Sequence, residues 1–128
     1  MLDVNTNIVK LRSNIWAANT FPIQHGGDAG DFIRPHAQAG CVGVLVEDAE
    51  EGADGLVVHQ ANRIIVPCNF TEPITAGTLV AFEIGENRVT SVANGDLLCG
   101  VLLEDMPESD YSDAEECMIY LLGIAMAV

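Results

Sequence analysis

Three histidines, four cysteines and several pairs of adjacent carboxylates are the side chains here best equipped for chemistry. His25, His36 and His59 show neither i,i+4 pairing nor the intervals of a zinc site, and their spacing to Cys41 and Cys68 is equally unpatterned. They read as loop and strand-end histidines. The stretch Gly26-Gly27-Asp28-Ala29-Gly30-Asp31 has the flavour of a calcium-binding repeat, but such repeats act as stacked arrays and this one occurs once. It also lacks the alternating acids of an EF-hand loop. Asp28 and Asp31 would repel a phosphate and no lysine follows them, which disfavours a phosphate cradle, and a flexible loop is expected. The pairs Glu47/Asp48, Glu50/Glu51, Glu104/Asp105 and Glu115/Glu116 sit among like charges, which favours a solvated surface over an acid–base pair in an apolar cleft. Ser13, Ser91, Ser109 and Ser112 lie in no Gly-x-Ser-x-Gly turn. The expectation is a protein that is not an enzyme, with no catalytic residue, no metal and no cofactor.

The elements that carry these residues belong to a chain of 128 residues, the length of one domain. Hydrophobic residues make up 49%, which excludes a disordered acidic tail. Aromatics are only 5%, so Val, Leu, Ile and Ala must fill the core, a composition suited to short strands. Nineteen acids against five bases give a net charge of −14. Phosphate backbones and anionic lipid surfaces repel such a chain, so neither nucleic acid nor membrane is an expected partner. The longest apolar run, Met118 to Val128, is far short of the ~20 residues of a spanning helix. The first residues lack the basic start and apolar centre of an export signal. Cys41, Cys68, Cys99 and Cys117 form no CxxC pair, so they are expected to be reduced, buried thiols in a protein made in a cytoplasm.

Charge divides the chain near residue 40. Residues 1–40 carry Lys10, Arg12 and Arg34 against Asp3, Asp28 and Asp31, whereas residues 41–128 carry Arg63 and Arg88 against sixteen acids. The first part lacks a steady hydrophobic period, yet holds the only Trp and two of the four Phe. It reads as an arm, 1–40, that packs on its own barrel or on a neighbour. The second part, 41–128, reads as strands. Val42 to Glu47, Leu56 to His59 and Arg63 to Val66 are apolar runs. From Thr78 to Ile84 the pattern alternates, with Val80, Phe82 and Ile84 on one face and Ala81 and Glu83 on the other. Gly85-Glu86-Asn87 turns into Arg88–Val92 as a hairpin, Asn94-Gly95 marks another turn, and Gly123 breaks the last run or marks a bulge. Turn signals every 8–12 residues give an all-β class, a small β-barrel or sandwich.

A repeat is embedded in this pattern. Gly43-Val44-Leu45-Val46-Glu47-Asp48 returns as Gly100-Val101-Leu102-Leu103-Glu104-Asp105, identical at five of six positions and offset by 57. Each copy is followed by an acidic loop and an apolar stretch, Leu56 to Val66 and Met118 to Val128. This is either a chance match of a common pattern or a pseudo-symmetric barrel of two halves.

The run Ile74-Thr75-Ala76-Gly77-Thr78-Leu79-Val80-Ala81-Phe82, then Asn87-Arg88-Val89 and Leu98-Cys99-Gly100-Val101-Leu102-Leu103-Glu104, resembles the small head-decoration, or cement, proteins of tailed bacteriophages. Tyr120-Leu121-Leu122-Gly123 matches their terminal strand. The resemblance covers residues 41–128 and brings no catalytic residues. It implies a compact barrel on the outside of an icosahedral capsid, often a homotrimer, with the major capsid protein and itself as partners. The virion exterior is then its location. A charge of −14 would keep free copies soluble and apart, and the charge-balanced arm would supply the anchors Arg12, Trp16, Phe21, Ile23, Phe32 and Arg34. The alternative is a cytoplasmic oligomeric β-barrel that binds a small ligand or metal at a subunit interface, with His36, His59 and the acidic loops facing a pocket.

Overall fold

A computed structural model describes residues 15–23, 26–35, 40–109 and 115–128, with backbone only for 15–22. The fold is all-β. Its strands are β1 (Ile15–Pro22), β2 (Phe32–Ile33), β3 (Gly43–Leu45), β4 (Asp54–Cys68), β5 (Leu79–Glu83), β6 (Arg88–Ser91), β7 (Leu97–Leu102) and β8 (Glu115–Ala127). Pairings run β4–β6–β5–β7–β8 and back to β4, so five strands form a ring. All are antiparallel except β4–β6, a seam made by one parallel bridge, Cys68 with Val89, and by Asn69 N–H donating to Val89 O at 3.0 Å. The ring is therefore a barrel whose weakest side is that seam. Strands β1 and β3 flank the first part of β4, and β2 pairs with β3 across residue 40.

Two expected runs, Leu56–His59 and Arg63–Val66, are one strand of 15 residues. Gln60, Ala61 and Asn62 lie between the two runs in sequence. In the fold the strand carries an irregularity there, between Ala61 and Ile64, and runs on. The β5–β6 hairpin forms as expected, with Asn87 at φ 52° closing the turn and its N–H donating to Glu83 O at 2.9 Å. Alternation along β5 fails at Ala81, which is buried beside Val80 and Phe82. A bulge separates Val80 from Ala81, and Gly95 lies so close over Ala81 that any side chain on it would strike the Ala81 methyl. Gly123, at φ 89°, marks the bulge in β8 and does not end it. Its N-terminal neighbours pair Leu121 with Gly100, and the next pairing joins Met126 to Leu98.

The main core fills the ring with Val66, Phe70, Val80, Phe82, Val89, Leu102, Ile119 and Leu121, and takes in Val58 from the first part of β4 and Phe32, Val44 and Val46 from outside the ring. A smaller cluster joins Ile23, Ile33, Leu45 and Val57. Phe32 meets Phe82 edge to face, with ring centroids 5.1 Å apart.

The backbone repeats itself. Gly27 bridges Ala49, and Ile74 bridges Met106. Gly30 N–H donates to Leu45 O and Gly77 N–H to Leu102 O, both at 2.7 Å and both from glycines near φ 90°. Leu45 N–H donates to Asp31 O as Leu102 N–H does to Thr78 O, each at 2.9 Å. Phe32 and Ile33 pair with Val44 and Gly43 as Leu79 and Val80 pair with Val101 and Gly100. The pseudo-symmetric reading thus holds in three dimensions, and it reaches beyond the hexapeptide to residues 27–33. The first half runs from β1 to the first part of β4. The second half begins in the same strand and ends in β8.

Candidate functional site

The acidic turns are built alike and held tightly. Asp48 Oδ1 accepts from Ala29 N–H and Asp105 Oδ1 accepts from Ala76 N–H, each at 2.8 Å. Asp31 Oδ2 accepts from Asp28 N–H at 2.8 Å. The glycine-rich stretch expected to be a flexible loop is, over residues 26–31, an ordered turn, because its backbone donors find carboxylates. Glu47, Glu50, Glu51 and Glu104 remain exposed. Ser109 Oγ accepts from Phe70 N–H at 2.8 Å and donates to Glu115 Oε2 at 2.9 Å, which ties Ser109 to the start of β8.

These carboxylates serve structure, and among the described residues no group of His, Cys, Asp and Glu is arranged to hold a metal ion. His25 and His36 lie outside the described residues. His59 is half-buried in β4, and burial pushes its imidazole below the ordinary value. All four cysteines are free and buried. Burial raises the Cys41 thiol and pushes Cys99 up to about 12. A hydrogen bond with the Cys68 side chain, then burial, raises Cys117. Thiols held in the protonated form are poor nucleophiles, so these pack as small apolar groups.

The feature that stands apart is an apolar outer face on the ring. Leu79 on β5 pairs with Val101 on β7, and Val101 pairs with Tyr120 on β8. This row crosses three strands without a charged side chain. Leu103 follows directly after β7 and is exposed. Met118, opposite Ile65 on β4, continues the row along β8. Past the Gly123 bulge a second group, Ile124, Met126 and Val128, is more than half exposed. Large apolar side chains clustered on a sheet face mark a contact surface.

Of the anchors expected in the arm, Arg12 lies outside the described residues. Trp16 and Phe21 lie on β1, with Phe21 opposite Gly55. Ile23 and Phe32 are sealed in the chain's own core, so they hold this segment to the barrel and present no surface. Arg34, half-buried, follows β2. Leu79, Val101, Leu103 and Tyr120 lie within the stretches that carry the repeat and the resemblance, yet sequence reading did not single them out as a surface. The signal present was their match, position by position, to a half whose face is covered.

No protein-family model matches the chain, and no curated protein sequence matches it.

Proposed function

We propose that this protein is a structural component of a virion, a decoration or cement protein that binds the outer surface of an icosahedral phage capsid and stabilises it. The observation that carries the reading is the presence of two exposed apolar groups, one on either side of Gly123, on a chain of net charge −14. Free copies repel one another through their acidic turns, while contact is concentrated where charge is absent. The segment that resembles phage decoration proteins supports it further, since it forms β5, β6 and β7, three consecutive strands of the ring. The partners in this reading are the major capsid protein and further copies of the chain, as a homotrimer. Many weak contacts per particle then add to a firm hold. The reading assigns no catalytic step. Mixing the purified protein with intact phage capsids and sedimenting them tests it. The protein should travel with the particles, and a protein left wholly in the supernatant would refute the reading.

A further inference from the structure

We propose that Asn94 is a site of spontaneous covalent modification, where the backbone nitrogen of Gly95 closes on the Asn94 side chain and turns it into aspartate or isoaspartate. The proposal is independent of the shell reading above. In the reaction the Gly95 amide nitrogen gives up its proton and attacks Cγ of Asn94. A new N–C bond forms, and the side-chain nitrogen leaves as ammonia. The cyclic imide then takes up water. Opening on one side gives aspartate, and opening on the other gives isoaspartate, in which the main chain runs through the side-chain carbon. Water is the only co-reactant, and the loss of ammonia makes the change one-way.

The turn between β6 and β7 favours this reaction. Of the eight asparagines in the chain, Asn94 alone is followed by glycine, so no side chain shields the attacking nitrogen. Asn94 is exposed and lies outside the strand ladders. Among the described residues the Gly95 N–H has no protein acceptor, so its attack breaks no protein hydrogen bond. Other asparagines are worse placed. Asn69 is buried, and the nitrogen that follows it, that of Phe70, donates to Ser109 Oγ. Asn62 and Asn87 precede Arg63 in β4 and Arg88 in β6, whose side chains crowd the attack. What restrains Asn94 is its own amide, whose Nδ2 donates to Thr71 Oγ1 and Ser91 Oγ, each at 3.1 Å. Water replaces such bonds at little cost on an exposed turn, so they slow the reaction without blocking it.

The position gives the modification a consequence, because this turn ties β5, β6 and the end of β8 together. Asn94 N–H donates to Ser91 O at 3.0 Å, and Asp96 N–H donates to Phe82 O at 2.9 Å. Asp96 Oδ2 accepts from Ile84 N–H at 2.8 Å, and Asp96 O accepts from Val128 N–H at 3.1 Å. Gly95 is pressed against Ala81, which leaves the turn no slack. Isoaspartate adds one carbon to the main chain just before Gly95 and so moves Asp96 off these partners. The end of β8, with Ile124, Met126 and Val128, is thereby loosened.

Incubation of the folded full chain at mildly alkaline pH, followed by peptide mapping with enzymatic methylation of isoaspartate, tests this. Aspartate and isoaspartate should accumulate at residue 94 and not at Asn62, Asn69 or Asn87, with ammonia released in equal amount. Asn94→Gln, which would have to close a larger ring, should stay intact. Thr71→Ala should react several-fold faster, and an unchanged rate overturns the restraint assigned to that hydrogen bond. Residue 94 left unchanged in the folded chain, when the chain unfolded in urea is converted there, overturns the proposal. Conversion spread evenly over these asparagines does the same. Thermal melts of the aged protein beside Asn94→Asp separate the added charge from the lengthened chain. The isoaspartate form should melt below the Asn94→Asp variant, and equal melts overturn the loosening of the turn.

Discussion

Asp48 and Asp105 do the same work in the two halves of the barrel: each places Oδ1 2.8 Å from the backbone N–H of an alanine, Ala29 or Ala76, one residue before a glycine near φ 90°. Each thereby fixes a turn to the strand end that follows the repeated Gly-Val-Leu. A charged acceptor on a backbone donor is worth about 1.5–3 kcal/mol where it is shielded and less at an exposed turn. Asp48→Ala and Asp105→Ala should each lower stability by about 1 kcal/mol, and the double variant by about the sum, since the turns share no partner. Urea denaturation of the four proteins measures this, and a loss at only one site would deny their equivalence.

Two glycines of the repeat sit where the backbones of neighbouring strands approach closely. A side chain at Gly43 would strike the Val58 carbonyl, and one at Gly100 would come within 2.5 Å of the Tyr120 carbonyl. Gly43→Ala and Gly100→Ala should therefore each destabilise by about 1–3 kcal/mol through forced backbone shifts. Gly85→Ala serves as a control, since nothing lies within 4 Å of its added carbon. Denaturation midpoints for the three variants check the ordering.

Phe32→Ala separates the two roles that an aromatic in the arm could have. Buried against Phe82, it should cost about 3–5 kcal/mol on truncation, as core phenylalanines do. A surface anchor would change stability by under about 0.5 kcal/mol. Thermal melts of wild type and variant distinguish the two.

Alkaline pH tests the thiols. Cys99 rises from about 9 to about 12 on folding, so the folded state holds a proton that the unfolded chain releases. Its contribution is fully present below about pH 9 and is lost as pH rises toward 12, at up to about 1.4 kcal/mol per pH unit. Urea unfolding at pH 8, 9, 10 and 11 should show this decline, to which the raised thiols of Cys41 and Cys117 add, and Cys99→Ala should make it shallower.

Much of the fold was legible in the residues themselves. The β5–β6 hairpin announced itself through Gly85-Glu86-Asn87, and the repeat through a hexapeptide whose glycine and aspartate each have a geometric task. The rest of the repeat was hidden. Asp28-Ala29-Gly30-Asp31 and Thr75-Ala76-Gly77-Thr78 share only the central pair, because backbone hydrogen bonds, which any residue can make, carry the equivalence. The charge break near residue 40 also misleads as a guide to pairing, since surface charge does not mark strand neighbours, and β2 pairs with β3 across it. The apolar outer face was invisible for a similar reason. Val101 and Tyr120 look like core residues in a strand pattern, and only the register shows which side of the sheet they occupy.

The proposed role places this acidic two-half barrel on the outside of a shell. Electron cryomicroscopy of capsids purified with and without this protein tests it most directly. Particles that contain it should show added density on the outer surface, at symmetry-related positions and of a size to hold copies of a 13.6 kDa barrel. Identical outer surfaces in the two preparations, with the protein folded and free in solution, would contradict the account.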